Sequence, residues 1–97
     1  MILSFADSGA EDIFDGRNSR EARSLLPREL WKAAFRKLDL LDSAETLNDL
    51  RTPSANRLEA LKADRKGQHS IRINAQYRIC FVWTDSGVED IEIVDYH

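Results

Sequence analysis

The chain has 97 residues, of which 42% are hydrophobic and 32% are charged, and its net charge is −3 at pH 7. This length allows one compact domain with a single modest core, so we treat residues 1–97 as one domain, and the composition excludes a disordered chain. The sequence has no run of about 20 apolar residues and no signal-peptide pattern, so it predicts a cytoplasmic protein without a membrane span. It has a single cysteine and no zinc-ligand spacing, so we expect no disulfide, metal or other cofactor.

The charges are unevenly distributed along the chain. Residues 1–50 carry a net charge of −3, residues 51–80 carry +5 and residues 81–97 carry −5. A basic central third within an acidic protein is expected of a molecule that contacts phosphates at one surface. The alternative is that these charges lie on solvated strand faces, and charge taken alone favours that alternative.

The first half of the chain predicts a strand followed by a helical layer. The apolar run ILSF at residues 2–5 precedes a turn-like sequence and indicates a first strand. Residues 6–24 are rich in charge and glycine, and we expect a loop with a short helix that is mobile in part. An apolar stripe after Pro27 predicts the main helix, and this wide stripe, which includes a Trp and a Phe, should pack on a sheet and supply much of the core. A short turn should follow at residues 43–50. The stripe consists of Leu30 or Trp31, Ala34, Phe35, Leu38 and Leu41.

Three alternating segments in the second half predict a meander of antiparallel strands joined by turn-sized links. They are HSIRIN at 69–74, YRICFVW at 77–83 and VEDIEIVDYH at 88–97, and RLEALKA at 57–63 is a weaker fourth. The predicted fold class is α+β, with an N-terminal strand and helices packed on one face of a curved, mainly antiparallel, four- to five-stranded sheet.

The two-residue period of a strand divides these residues between two faces of the sheet. We expect the helix-covered face to hold Ile71, Ile73, Ile79, Phe81, Trp83, Ile91 and Ile93. The uncovered face should carry Arg72, Arg78, Cys80, Val82, Glu92, Val94 and Tyr96. Asp95 and His97 have the opposite parity to Tyr96, so a bulge or a strand end is required to bring all three to one substrate.

Side chains of the second half supply acids, cations, a phenol and an imidazole. They are Glu59, Lys62, Arg72, Arg78, Asp95, Tyr96 and His97. Metal-free cleavage of an RNA phosphodiester requires a base for the ribose 2′-OH proton, a cation for the charge on the phosphate and an acid for the leaving 5′ oxygen. The set contains these functions, whereas P-loop, dinucleotide and Ser-His-Asp patterns are absent. We expect His97, at the end of a predicted strand, to be a working residue.

Two stretches carry a resemblance to a known family: NRLEALKADRKGQHSIRINAQYRICFVW at 56–83 and VEDIEIVDYH at 88–97. They resemble the HigB-type toxins of the RelE/ParE superfamily, and MILSF at 1–5 and LDLLDSAETLNDLRTPSANRLEAL at 38–61 extend the resemblance. It implies a RelE-like fold and the toxin of a type II toxin-antitoxin system, a ribosome-dependent endoribonuclease that cuts mRNA in the A site of the 70S ribosome. It also implies a HigA-like helix-turn-helix antitoxin as partner, with the toxin as co-repressor and operator DNA bound through the antitoxin.

The resemblance also implies roles for individual residues. At Glu59 many HigB toxins have a histidine followed by proline, whereas the related YoeB toxins have a glutamate that resembles a general base. This implies Glu59 as base, Arg78 as phosphate clamp and His97 as acid. The positions that match residues implicated in HigB toxins are Lys62, Asp95, Tyr96 and His97. The residues that we expect to contact ribosomal RNA, if they are not ordinary solvated charges, are Arg57, Arg65, Lys66 and Arg72.

Two other functions stay open. Toxins of the ParE branch of the same superfamily poison DNA gyrase without cleaving RNA. The second alternative is a non-catalytic partner of a DNA-binding protein. In both cases Asp95, Tyr96 and His97 would have no catalytic task.

Overall fold

The computed structural model describes residues 1–96, with helices in the first half of the chain and strands in the second. The helices are α1 (Ser8–Phe14), α2 (Arg20–Leu25) and α3 (Trp31–Ser43). The strands are β1 (Glu59–Ala60), β2 (His69–Arg72), β3 (Tyr77–Trp83) and β4 (Val88–Asp95), and short 3-10 turns occupy Arg28–Leu30, Leu47–Arg51, Ser54–Asn56 and Ala63–Arg65. Within residues 1–96, no helix has the length and apolar character needed to cross a bilayer.

Residues 6–24 contain two helices, so the prediction of a loop with one short helix is wrong. Asp7 caps α1, and its Oδ1 accepts a hydrogen bond from Ala10 N at 2.6 Å. Ser19 caps α2, and its hydroxyl also donates to Asp12 Oδ2 of α1 at 2.6 Å. The caps satisfy N–H groups that a helix start leaves unpaired, and packing of the two helices supplies the rest of their stability.

The predicted main helix is confirmed as α3, and most of its apolar stripe is buried. Leu38 and Leu41 are fully buried, and Trp31 packs partly buried against the core. Phe35 is 43% exposed, so the prediction that it supplies the core is wrong. Its ring stacks on Phe14 of α1, with centroids 6.0 Å apart. The apolar stripe of α3 is wider than the surface that packs on the core, so its edge contacts α1 instead.

The strands form one antiparallel sheet in the order β1-β2-β3-β4. Ile71 of β2, Ile79 of β3 and Ile93 of β4 are register partners in one row, and all three are buried in one core cluster with helix residues. Residues 2–5 run parallel to the outer edge of β4 and pair with it through isolated bridges. The predicted N-terminal strand is therefore confirmed in its place, although its pairing is too sparse for a full strand.

The sheet face opposite the core is covered at Arg78, which we predicted to be open, and at its neighbour Cys80. Arg78 and Cys80 have the predicted parity, but they are only 8% and 1% exposed. The prediction of an open Arg78 is wrong because the backbone at Arg57 and the ring of Tyr96 lie against this residue. Burial also raises the pKa of the Cys80 thiol and keeps it neutral. The weakly predicted strand at 57–63 is reduced to the two residues of β1.

Candidate functional site

Strand register brings three predicted site residues to one face of the sheet. Glu59 pairs with Ser70, and Ser70 pairs in turn with Cys80. Arg72 pairs with Arg78 at the next position of the same parity. Because register partners point to the same side of a sheet, Glu59, Arg72 and Arg78 share the face opposite the core.

A cleft of about 570 Å³ opens beside β1. Its lining consists of Glu59, Ala60, Leu61, Lys62, Arg65 and Tyr96. Three predicted catalytic residues, Glu59, Lys62 and Tyr96, therefore meet around one space, and all three are exposed. A carboxylate, an ammonium and an aromatic ring around an open cleft form a site that suits a polar, phosphate-bearing ligand with an aromatic base.

Arg78 lies behind the cleft with its guanidinium held by oxygen atoms. Its Nε donates to Ser70 Oγ at 2.8 Å, and its Nη2 donates to the Arg57 carbonyl at 2.6 Å and to the Ser70 carbonyl at 3.4 Å. The guanidinium carbon lies 5.5 Å from the centroid of the Tyr96 ring, which lines the cleft. Arg78 is thus fixed on one side by the sheet and bordered on the other by a cleft residue.

Arg65 contributes a second fixed cation to the cleft. Its Nη1 donates to Gln68 Oε1 at 3.0 Å and to Glu92 Oε1 at 2.5 Å. The hydrogen bond with Glu92 raises the pKa of Arg65 and keeps the guanidinium charged. Within residues 1–96 this is the single ion pair, so no carboxylate of that part of the chain pairs with Arg78.

The end of β4 separates Asp95 from Tyr96. Asp95 is the register partner of Tyr77, and its Oδ2 accepts a hydrogen bond from Gln76 Nε2 at 3.0 Å. Tyr96 lies just past the strand, and its N–H donates to the Gln76 carbonyl at 2.6 Å. The predicted strand end is present, but Asp95 is not among the cleft-lining residues, because strand parity still directs it away from the face that Tyr96 occupies.

The other predicted residues have different surroundings. Arg57 and Lys66 are exposed, and Arg72 is half-buried with its Nε donating to the Asn74 carbonyl at 2.9 Å. His97 lies outside the described residues. Within residues 1–96 no cluster of three His, Cys, Asp or Glu side chains has the geometry to hold a metal ion.

Sequence reasoning missed two residues that hold the site together. Ser70 supports Arg78, and Gln76 joins the turn before β3 to the end of β4. Ser70 is the one hydroxyl in the alternating segment HSIRIN, and it has the same parity as Arg72. Pairing that segment with YRICFVW as a hairpin would have placed this hydroxyl close to Arg78. Gln76 lies in a turn and carried no comparable signal.

Comparison with known proteins identifies the family. Residues 3–97 match the family described as "RelE-like toxin of type II toxin-antitoxin system HigB". The chain belongs to this family. It is also 41% identical over 85 residues to the Toxin HigB-1 of Vibrio cholerae, an alignment that covers 88% of this chain and 86% of that protein. An uncharacterized protein of Haemophilus influenzae is 38% identical over 71 residues, covering 73% of this HigB-family chain and 70% of the relative.

Solved structures confirm the RelE-like fold of this HigB-family toxin. It resembles chains in two structures of the YoeB-YefM complex from Staphylococcus aureus, one of them described as a heterotetrameric toxin-antitoxin complex. In each case the TM-score is 0.61, and the alignment covers all of this chain and 98% of the other at 18% identity. The predicted resemblance to HigB-type toxins and the predicted fold class are both confirmed.

Proposed function

We propose that this HigB-family toxin is a metal-independent, ribosome-dependent endoribonuclease that cleaves mRNA in the ribosomal A site. The product ends would be a 2′,3′-cyclic phosphate and a 5′-OH. Translation would stop as a consequence, which accounts for toxicity. The proposal places the reaction at the cleft that Glu59, Lys62 and Tyr96 line.

The observation that carries the proposal is the burial of Arg78 with no carboxylate partner among residues 1–96. The residue is 8% exposed, and the single ion pair within residues 1–96 is made by Arg65 instead. A buried cation that is compensated only by neutral oxygens is costly, and an anionic ligand offsets that cost. A phosphate in the cleft is such a ligand, and the planar guanidinium is suited to bind its oxygens.

The cleft residues can be assigned to the steps of phosphodiester cleavage. In our proposal Glu59 accepts the proton of the ribose 2′-OH, whose oxygen attacks the phosphorus while the bond to the 5′ oxygen breaks. Arg78 and Lys62 stabilise the negative charge that builds on the phosphate oxygens. His97 donates the proton that the departing 5′ oxygen takes up. Each bond formed is matched by one broken, so no oxidant or reductant is required.

Asp95 and Tyr96 complete the proposed site in different ways. The ring of Tyr96 offers a face on which an unstacked base can lie. Asp95, which also accepts a hydrogen bond from Gln76, is proposed to hold the C-terminal segment in place rather than to touch the RNA. The exposed or half-buried cations of residues 51–80 that would contact ribosomal RNA are Arg57, Arg65, Lys66 and Arg72.

The proposed partners follow from the family and the setting. The neighbouring structures are complexes of a toxin with its antitoxin, which supports a proteinaceous antitoxin for this chain. We propose a HigA-like helix-turn-helix protein in that role, with operator DNA bound through it. The proposed substrate is the mRNA on a 70S ribosome, so the proposed compartment is the cytoplasm.

The test compares the wild type with His97→Ala and Arg78→Ala. We expect wild-type expression to arrest growth and to produce cuts in ribosome-bound mRNA that primer extension detects. Both variants should relieve arrest and lower the cleavage rate by about 100-fold or more, since each removes one contribution to the transition state. Arg36→Ala, which removes an exposed arginine on α3, is the matched control and should remain toxic.

One pattern of results would contradict the proposal. If His97→Ala stays toxic and the mRNA remains whole with both proteins, the toxin does not act by cleaving mRNA. Inhibition of gyrase supercoiling by the purified wild type would then support the ParE-like alternative. Toxicity without either effect would point to another target.

A further inference from the structure

Ser70 is a buried hydroxyl that serves a single side chain. The residue is fully buried, and its Oγ lies 2.8 Å from Nε of Arg78. Its carbonyl oxygen also accepts a hydrogen bond from Nη2 of Arg78, at 3.4 Å. Side chain and backbone of one residue therefore hold two of the three guanidinium nitrogens. If Ser70 only filled space, an apolar side chain of the same size would do so without the cost of desolvating a hydroxyl. The double contact with Arg78 therefore indicates that the hydroxyl has a role beyond packing.

The third contact comes from a backbone conformation that few side chains favour. Arg57 has φ 47° and ψ 55°, in the left-handed region, and its carbonyl accepts from Nη2 of Arg78 at 2.6 Å. An unfavourable local conformation is retained when the surrounding contacts require it. Here it directs a carbonyl oxygen to the same nitrogen that the Ser70 carbonyl contacts.

These contacts leave one nitrogen of the guanidinium for a ligand. Within residues 1–96, Nη1 of Arg78 donates no hydrogen bond, whereas Nε and Nη2 are both engaged. The ring that borders the guanidinium belongs to Tyr96, which lines the cleft. Fixing two nitrogens removes rotation of the guanidinium and sets the direction of the remaining donor.

We propose that Ser70 is a positioning residue, which holds Arg78 so that Nη1, the nitrogen that residues 1–96 leave unengaged, meets the phosphate that is cleaved. The inference rests on the proposed nuclease function and goes beyond it, because it assigns a role to a residue that never touches the RNA. Ser70 acts only through Arg78. Its contribution lies in preorganisation, since a clamp that must reorient during the reaction stabilises the transition state less.

The experiment measures single-site cleavage of mRNA on programmed ribosomes, first with four proteins and then with Ser70→Ala in an Arg78→Lys background. The four proteins are the wild type, Ser70→Ala, Ser70→Thr and Cys80→Ala. Ser70→Ala removes only the hydroxyl, and Ser70→Thr returns it. Cys80→Ala is the matched control, because Cys80 is the buried register partner of Ser70 on β3 and its truncation leaves the oxygens around Arg78 in place. Thermal unfolding of each protein accompanies the kinetics.

We expect Ser70→Ala to lower kcat by roughly 10- to 100-fold and to change the half-saturating ribosome concentration by less than about threefold. Ser70→Thr should recover most of the rate, and Cys80→Ala should retain it. In an Arg78→Lys background, which lacks Nε, Ser70→Ala should have no further effect on kcat, because coupled residues are not additive. In ¹⁵N-labelled protein, the Arg78 Nε–H proton should exchange with water faster in Ser70→Ala than in the wild type.

Three results would overturn the inference. The first is an unchanged kcat in Ser70→Ala while the wild type cleaves mRNA, which would leave the nuclease proposal intact. The second is an equal loss of rate in Ser70→Ala and Cys80→Ala, which would reduce the role of Ser70 to packing. The third is the absence of cleavage by the wild type, which would remove the nuclease proposal and this inference together.

Discussion

Tyr96 is half exposed and lines the cleft, where its ring and its hydroxyl could each contribute to RNA cleavage. The ring lies 5.5 Å from the guanidinium carbon of Arg78 and lines the cleft. A cation against a ring face is worth roughly 0.5–1 kcal/mol at an exposed site. Stacking of a base on an aromatic side chain is worth roughly 1–3 kcal/mol. Both interactions use the π-face and neither needs the phenol oxygen.

We therefore predict different outcomes for two substitutions of Tyr96. Tyr96→Phe should keep the rate of mRNA cleavage within about threefold of the wild type, because the ring is retained. Tyr96→Ala should lower kcat/KM by about tenfold or more, since base stacking is lost. Cleavage assays on programmed ribosomes measure both. A large loss in Tyr96→Phe would instead assign the hydroxyl a direct role in proton transfer.

At the scale of elements, Asp7 joins the first helix to the strand that ends at the site. Its Oδ1 accepts from Ala10 N at the start of α1, and its Oδ2 accepts from Ile93 N of β4 at 3.1 Å. Residues 2–5 pair with the same edge of β4 a little earlier along the strand. The N-terminal segment thus covers the outer edge of the sheet and supports the strand that carries Asp95.

Removing this carboxylate should destabilise the whole protein. We predict that Asp7→Ala lowers the free energy of unfolding by about 1–2 kcal/mol, because a helix cap and a hydrogen bond to β4 are both lost. Urea denaturation at neutral pH measures the change. Asp39→Ala, at an exposed position on α3, is the control and should stay within about 0.5 kcal/mol of the wild type. An equal loss in both variants would contradict the role of Asp7 as a link.

The raised pKa of Asp7 also leads us to predict how the stability of the protein changes with pH. Burial raises the pKa of the Asp7 carboxyl above the usual value of 3.8, and the nearby Glu92 raises it further, while hydrogen bonds from Ala10 and Ile93 oppose the shift. Between pH 3.8 and the raised value the folded state binds more protons than the unfolded state, so this group's contribution to stability falls as the pH rises through that window. Asp7→Asn lacks the titration. The stability advantage of the wild type over Asp7→Asn should therefore shrink as the pH is raised from below this window to neutral.

At the scale of the whole molecule, positive charge is concentrated in the central third of the chain and negative charge in the rest. Residues 51–80 carry a net charge of +5 in a protein whose total is −3. The structure gathers part of this basic segment at one cleft, where Lys62 and Arg65 line the wall. Such a surface attracts RNA phosphates while the acidic remainder of the molecule does not.

This charge separation predicts how ribosome binding responds to salt. We expect Lys66→Ala to weaken ribosome association, and to reduce the slope of log affinity against log salt by about 1, because one phosphate contact is lost. Lys32→Ala removes an exposed lysine on α3, outside the basic segment, and should leave both quantities unchanged. Titrations at several salt concentrations measure the slope. Equal slopes for Lys66→Ala and the wild type would place Lys66 away from the RNA.

Individual elements show where sequence reasoning succeeds. Strand β3 has the bounds that the alternation predicted, Tyr77–Trp83, and the row of Ile71, Ile79 and Ile93 is buried as expected. Alternation of apolar and polar residues reveals which side chains are buried, because successive residues of a strand point to opposite faces of the sheet. For residues 6–24 the sequence predicts a loop with one short helix instead of two helices, because short helices carry little periodicity and are stabilised by their caps and packing.

The candidate site was predictable as a set of residue types and less so as an arrangement. Glu59, Lys62 and Tyr96, which the sequence offered as candidates, line one cleft. Arg78 was expected on an open face, but it is buried. Its burial arises from the Arg57 carbonyl and the Tyr96 ring, which are distant from it in sequence. Contacts of that kind leave no local pattern.

The amino-acid pattern alone determined the fold class and the strand faces, because burial period is a local property of a chain, and the stretches at 56–83 and 88–97 carried the resemblance to the family. Tertiary structure decided which charges remain accessible. It buried Arg78 against Ser70 while leaving Glu59 and Lys62 exposed in the cleft. The accessibility of a charge depends on which distant segments fold over it, and that is settled only when the sheet, its edges and its turns pack together.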